Sequence, residues 1–103
     1  MFSFDEDAPK LSVKQLPDGV VVEGSTLTLT CIAEGEPHPL FFRWMNITNF
    51  EEVDLGCTKK NQTQCSLILS NLSIFHTGTY ECLANNGAVG APVNIKRNIT
   101  VFG

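Results

Sequence analysis

Apolar and polar residues alternate along several short stretches of this chain, which is the period-2 pattern of half-buried β-strands. In the clearest stretch, residues 26–33, one face carries four side chains of core type: Leu27, Leu29, Cys31 and Ala33. Further strands are predicted at residues 11–16, 20–23, 41–45, 65–69, 79–85 and 92–101. Because no stretch has helical periodicity, the pattern predicts an all-β sandwich or barrel.

Turn residues separate these stretches and make two local predictions. Asn86-Gly87 is the strongest hairpin signal, because a type I′ turn needs positive φ at both central residues. The last predicted strand places Arg97 on the same face as four aliphatic residues, and a packed core excludes an arginine. We therefore predict a β-bulge near Lys96 and Arg97 that turns the arginine outward.

Cysteines and glycosylation sequons together indicate the secretory pathway. The four cysteines are even in number, and none of their spacings is the Cys-x-x-Cys of a metal or redox pair. Chance would give about one Asn-x-Ser/Thr sequon in such a chain. Four occur, and their asparagines are Asn46, Asn61, Asn71 and Asn98. We expect an extracellular, disulfide-bonded glycoprotein, with Asn61 glycosylated because it lies among polar residues midway between Cys57 and Cys65.

Length and charge limit the possible functions further. A chain of 103 residues makes one domain, which we place at residues 9–103 after an acidic N-terminal tail at residues 1–8. The net charge is −4 and no basic stripe occurs, so no nucleic acid partner is expected. The chain lacks a signal peptide at its start, and we interpret it as a domain of a longer secreted or membrane-anchored protein.

Three inward positions and a tyrosine carry a resemblance to a known family. Trp44 lies between Cys31 and Cys82 in sequence, and Tyr80 stands two residues before Cys82. This arrangement resembles immunoglobulin domains, in which a disulfide ties two sheets together beneath an indole ring and a tyrosine hydroxyl bonds back to the main chain. The run CIAEGEPHP at residues 31–39 and the run HTGTYECLANNG at residues 76–87 are similar to motifs of the intermediate-set (I-set) domains. His76 replaces an aspartate of that family, so its usual ion pair with arginine is not expected.

The resemblance implies a disulfide pairing. It favours Cys31–Cys82, which leaves Cys57–Cys65 to close a local hairpin. Cys31–Cys65 remains an alternative, because the strands of these two residues would be neighbours in one sheet, but it would leave Trp44 without its disulfide partner.

The same resemblance, together with strand alternation, predicts a binding surface. Phe41, Met45 and Leu83 point away from the core on two strands that are adjacent in this fold. We interpret them as a contact surface for a protein partner, either another protein or a second copy of the domain. A sugar on Asn46, next to Met45, would shield this surface and move binding to the loops around residues 37–39 and 86–87.

Other functions have weaker support in the sequence. No nucleophile elbow, carboxylate pair or tetrahedral metal-ligand spacing occurs, so neither an enzyme, a metal site nor a cofactor is expected. The alternative to a binding module is a structural spacer between neighbouring immunoglobulin-like domains. An intracellular muscle-type domain is a third hypothesis, which the sequons and the second cysteine pair disfavour.

Overall fold

Nine β-strands and one 3₁₀ turn are formed by the described part of the chain. The computed structural model describes residues 7–52, 57 and 62–103, without the side chains of residues 51 and 52. In chain order the strands are β1 (Lys10–Leu16), β2 (Val21–Val22), β3 (Leu27–Glu34), β4 (Phe41–Asn46), β5 (Glu51–Glu52), β6 (Gln64–Leu69), β7 (Gly78–Asn85), β8 (Val93–Ile99) and β9 (Val101–Phe102). The 3₁₀ turn, Ile74–His76, is the longest helical segment among these residues, so none of them forms a membrane-spanning helix.

Two antiparallel sheets pack face to face. The first has the strand order β1–β3–β6 and the second the order β5–β4–β7–β8, while β2 and β9 form a short parallel pair. Buried and less buried residues alternate along β3, β4 and β7, because their inner side chains fill the space between the sheets. The predicted all-β sandwich is confirmed, with an edge strand added to the sheet that contains Trp44.

The centre of the core is built around Trp44 and the first disulfide. Cys31 on β3 is bonded to Cys82 on β7, which confirms the pairing and joins the two sheets covalently. Trp44 lies directly opposite Cys82 across the β4–β7 ladder and has no solvent-exposed surface. Its indole Nε1–H donates to the carbonyl oxygen of Cys65 on the other sheet (2.8 Å), so one side chain both fills the core and bonds the two sheets together.

The second disulfide does more than close a hairpin. Cys57 is bonded to Cys65 as predicted, and Cys65 belongs to β6 of the three-stranded sheet. The backbone N–H of Cys57 donates to the carbonyl oxygen of Phe42 on β4 of the other sheet (2.7 Å). The disulfide therefore links β6 covalently to a residue that is hydrogen-bonded to the other sheet. Cys31 and Cys65 are indeed direct neighbours across the β3–β6 ladder, but each cysteine is bonded to a different partner.

The predicted tyrosine corner is present. The Tyr80 hydroxyl donates to the carbonyl oxygen of His76 (2.6 Å), and burial raises the pKa of this phenol, which keeps the donor protonated. The 3₁₀ turn that presents His76 is capped reciprocally: Nδ1 of His76 accepts from the backbone N–H of Ser73, whose hydroxyl accepts from the N–H of Phe75. Histidine at this position thus shapes the corner by capping, in place of an ion pair.

Two local predictions are wrong. The β7–β8 register runs without interruption from Gly78↔Ile99 to Ala84↔Val93, so there is no bulge at Lys96–Arg97. Arg97 stays half-buried on the inner side, which is tolerated because β8 is an edge strand and its guanidinium can donate to the Lys96 carbonyl oxygen (2.9 Å). The strand is interrupted instead at Thr100, and the residues after it form β9, which pairs with β2.

The two-residue turn at Asn86-Gly87 is the second wrong prediction, although β7 and β8 do form an antiparallel hairpin. β7 and β8 are joined by residues 86–92, and Gly87 has a φ of 77° whereas Asn86 does not adopt a positive φ. A two-residue type I′ turn is excluded, because it requires positive φ at both positions. Asn86 is buried instead, and its side chain bonds to other parts of the chain.

Candidate protein-binding face

The outer face of the four-stranded sheet brings the three predicted contact residues together. Across the β4–β7 ladder, Arg43 lies opposite Leu83 and Met45 opposite Glu81, while Phe41 lies one step further along β4 opposite Asn85. Phe41 is 43% exposed, and Met45 and Leu83 are half-buried. We call this surface, formed by the outward side chains of β4, β7 and β8, the outer face.

Arg43 is a member of this face that the sequence analysis did not single out. Its guanidinium carbon lies 5.4 Å from the centre of the Phe41 ring, a cation–π contact. The strand alternation placed it on the same side as Phe41 and Met45, so the signal was present but was overlooked in the search for apolar residues. Next to it, Glu81 lies opposite Lys96 of β8. The outer face is thus an apolar strip bordered by both signs of charge.

The Asn46 sequon lies at the end of β4, where its side chains are hydrogen-bonded to the backbone. Asn46 is only 8% exposed, and its Oδ1 accepts from the backbone N–H of Thr48 (3.0 Å). The Thr48 hydroxyl in turn accepts from the N–H of Thr79 (2.8 Å). A Cβ on Gly78 would lie 2.7 Å from that hydroxyl oxygen, so the contact requires glycine. Asn46 and Thr48 therefore attach the end of β4 to the start of β7.

The other sequons lie in different surroundings. Asn71 is exposed after β6 and adopts a φ of 50°, and Asn98 is exposed on β8. Alternation along β8 puts Asn98 on the outer face, where its Oδ1 accepts from the Thr79 hydroxyl (2.8 Å). The polar end of the outer face is therefore at Asn98. Asn61 falls outside the described residues, so its predicted glycosylation is not addressed by the structure.

Asn86 organises the loops at the opposite end of the domain. Its Nδ2 donates to the carbonyl oxygens of Asp7 (2.6 Å) and Pro37 (3.0 Å), and its Oδ1 accepts from the N–H of Ala88 (3.0 Å). One amide thus joins the N-terminal segment, the loop after β3 and the loop after β7. Asp7 belongs to the predicted N-terminal tail, so part of this tail is hydrogen-bonded to the domain. We call Asn86 with these three partners the loop junction.

Two exposed aliphatic residues extend this end of the sandwich. Leu40 is 80% exposed and precedes Phe41, and Val89 is 94% exposed in the loop after β7. The backbone N–H of Leu40 donates to the carbonyl oxygen of Asn85 (2.8 Å), which holds the loop after β3 against the end of β7. Leu40 and Val89 therefore lie in loops at the end of the sandwich where β4 begins and β7 ends.

The described residues offer no cluster of side chains suited to hold a metal ion. His38 and Glu36 contact each other through Nε2 and Oε1 (3.3 Å), but no group of three or more His, Cys, Asp or Glu side chains converges there. All four cysteines are in disulfides, so no thiolate is available as a ligand or nucleophile.

Comparison with known proteins identifies the family. The family model described as "Immunoglobulin domain" matches residues 8–86, which is most of the chain. The human CXADR-like membrane protein is 31% identical over 75 residues, covering 69% of this chain and 20% of that protein. Human immunoglobulin superfamily member 10 is 36% identical over 81 residues, covering 76% of this chain and 3% of that protein.

A solved structure supports the same conclusion. The ectodomain of mouse nectin-like molecule 4, which contains Ig1–Ig3, matches with a TM-score of 0.70 and 27% sequence identity over 92% of this chain and 30% of that one. This chain spans at most a fifth of the length of the two relatives above, so the likeness concerns a single domain of each. Fold, disulfide, tryptophan and tyrosine corner agree with the sequence match, and the chain belongs to the immunoglobulin domain family.

Proposed function

We propose that this domain is an extracellular protein-binding module that contacts its partner through the outer face. The observation that carries the proposal is the β4–β7 register, which brings Phe41, Met45 and Leu83 onto one surface around Arg43. Relatives in this family include a membrane protein and a nectin-like ectodomain, which supports a place at the cell surface. Two disulfides support the same location, because structural disulfides persist in oxidising compartments.

The composition of the outer face suits recognition. Binding energy concentrates in a few central aromatic, arginine and apolar side chains that lose water on contact. Phe41 and Arg43 are already ordered against each other, so less side-chain entropy is lost when a partner binds. Glu81 and Lys96 at the border carry opposite charges, which would contribute to the orientation and specificity of a partner more than to its affinity.

The size of the outer face requires help from the loops. A stable interface buries about 800 Å² on each partner, more than three apolar side chains provide. Leu40 and Val89 lie in the loops at the Phe41 end of the sandwich, and both are largely exposed. We therefore centre the contact on the Phe41–Leu83 end of the outer face and include the loop residues beside it.

The sequons limit where a partner would sit. We propose that Asn71, Asn98 and Asn61 carry glycans and that Asn46 does not, because Asn46 is buried and a sugar on its Nδ2 would require the side chain to leave the strand end. A glycan on Asn98 would cover the Thr79 end of the outer face and leave the Phe41 end accessible to a partner. Glycopeptide mass spectrometry of protein secreted from eukaryotic cells tests this. Full occupancy at Asn46, or bare Asn71 and Asn98, would contradict it.

The binding proposal is tested by introducing a positive charge at apolar residues of the outer face. Phe41→Arg and Leu83→Arg each place a cation beside Arg43, and we expect at least about 30-fold weaker binding, since a central contact contributes about 2 kcal/mol. Ile68→Arg is the matched control, because Ile68 is exposed on β6 of the opposite sheet. The measurement is binding of bead-displayed domain to an array of extracellular proteins that includes the domain itself.

The outcomes separate a binder from a spacer. Loss of a wild-type interaction in both outer-face variants, with an unchanged melting temperature and an unaffected control, supports the proposal. Unaltered binding by both variants would move the contact to another surface. A wild-type domain that binds no protein on the array would favour the structural spacer.

A further inference from the structure

Asn86 of the loop junction is followed by glycine, and asparagine is a chemically labile residue in proteins. In an Asn-Gly sequence the backbone nitrogen of glycine can reach the asparagine side-chain carbonyl carbon, because glycine has no Cβ to obstruct the approach. Asparagine is among the thermolabile residues for this reason. Asn86-Gly87 is such a pair, and its asparagine is the residue that holds three chain segments together.

We propose that Asn86 is a site of spontaneous deamidation whose reaction opens the loop junction irreversibly. The Gly87 nitrogen attacks Cγ of Asn86 and forms a C–N bond, the Cγ–Nδ2 bond breaks, and the proton of the Gly87 nitrogen leaves with Nδ2 as ammonia. Water then adds to one carbonyl of the resulting succinimide and opens the ring to an aspartyl or isoaspartyl residue. The overall reaction replaces an amide by a carboxylic acid at the expense of one water, with no change of oxidation state.

The folded structure slows this reaction. Both polar atoms of the Asn86 side chain are held by partners, and the side chain is only 3% exposed. The attacking group is also occupied, because the N–H of Gly87 donates to Oδ1 of Asn85 (2.8 Å). Attack requires the Asn86 amide to leave its carbonyl partners, so the rate follows the fraction of time that the loop junction is open.

The product cannot rebuild the loop junction. A carboxylate has no proton to donate, so the Asp7 and Pro37 carbonyl oxygens would both lose their donor and would face a negative charge within hydrogen-bonding distance. Leaving a charged group buried against acceptors costs more than the two hydrogen bonds alone. The N-terminal segment and both loops would therefore separate. An isoaspartyl product, which adds a carbon to the backbone, would disturb the loop further.

Adjacent asparagines provide a matched pair of variants. Asn86→Asp reproduces the aspartyl product, and we expect its melting temperature to fall by about 10 °C, with faster hydrogen exchange at residues 86–90. Asn85→Asp adds the same charge one residue away, but Asn85 acts as an acceptor toward Gly87 and a carboxylate accepts equally well. Its melting temperature is expected to stay within about 2 °C of wild type.

The reaction itself is followed in the intact wild-type domain. Protein is incubated at mildly alkaline pH, with and without urea, and Asn86 is monitored by peptide mass spectrometry and by isoaspartyl methyltransferase labelling. We expect deamidation at Asn86 to be at least about tenfold slower in the folded domain than in urea, and the modified fraction to melt earlier than the unmodified one.

Each measurement decides the proposal. Equal deamidation rates in folded and unfolded protein would show that the loop junction gives no protection, and equal melting temperatures for Asn86→Asp and Asn85→Asp would show that it has no consequence. Should Asn86→Asp fail to fold, the melting of the naturally deamidated fraction replaces it. None of these readouts depends on whether the outer face binds a partner.

Discussion

Replacement of both Cys31 and Cys82 by alanine is expected to lower the free energy of unfolding by about 4 kcal/mol, the largest effect of any pair of substitutions here. The bond joins residues separated by 51 positions, and the conformational entropy that the unfolded chain regains when a loop is opened rises with the length of the loop. Both sulfur atoms also lie in the fully buried centre of the sandwich beside Trp44. Equilibrium denaturation in urea measures the loss.

The second disulfide is the control for this prediction. Cys57 and Cys65 are separated by 8 positions, so the same chain-entropy argument gives about 2.5 kcal/mol for their joint replacement by alanine. Should the first variant be too unstable to measure in urea, its midpoint in a stabilising osmolyte is compared with that of the second variant. A short-loop variant that is equally or more destabilised would contradict the ranking, and would mean that the contact of Cys57 with β4 matters more than loop length.

Removal of the indole of Trp44 is the second large effect. Trp44→Ala is expected to cost about 4 kcal/mol, because a fully buried aromatic side chain leaves a cavity that the disulfide-linked sheets cannot close. The same change removes the N–H that bonds to the Cys65 carbonyl oxygen, so the connection between the sheets is lost together with the packing. Denaturation monitored by circular dichroism gives the loss directly, because this chain has a single tryptophan and its fluorescence would be absent.

A pair of milder substitutions separates the hydrogen bond from the volume. Trp44→Phe keeps an aromatic ring but leaves the Cys65 carbonyl oxygen without its indole donor, and we expect a loss of about 2 kcal/mol. Phe42→Leu is the control: Phe42 lies on the same face of β4, is equally buried and is wholly apolar, so about 1 kcal/mol is expected. If Trp44→Phe costs no more than Phe42→Leu, the indole hydrogen bond contributes nothing to stability.

Some details of the site depended on which strands are neighbours. Arg97 was expected to require a bulge, but β8 is an edge strand and can hold a half-buried arginine. A sugar on Asn46 would shield the outer face, but Asn46 points inward, and the sequon asparagine on the outer face is Asn98. In each case the residue type was visible in the sequence while its surroundings were not.

Loop conformation was least accessible from sequence. Asn86-Gly87 is a correct signal of a change in chain direction, but the same dipeptide forms a hairpin turn only when the flanking strands end beside it. Here the bonds of Asn86 to Asp7 and Pro37, which are distant in sequence, replace the turn. Long-range hydrogen bonds of this kind leave no periodic signal.

The sequence by itself determined most of the strands, the inward positions of Cys31, Trp44 and Cys82, and the tyrosine corner at Tyr80, because period-2 alternation and short motifs are local properties of the chain. Only the tertiary structure decided that the backbone of Cys57 is hydrogen-bonded to β4 and that Arg43 joins Phe41 and Leu83 on one surface. It also decided that the buried side-chain amide of Asn86 holds three segments together. The physical reason is that strand register and burial are set by neighbours far apart in sequence, and the free energy of each contact depends on which groups meet there.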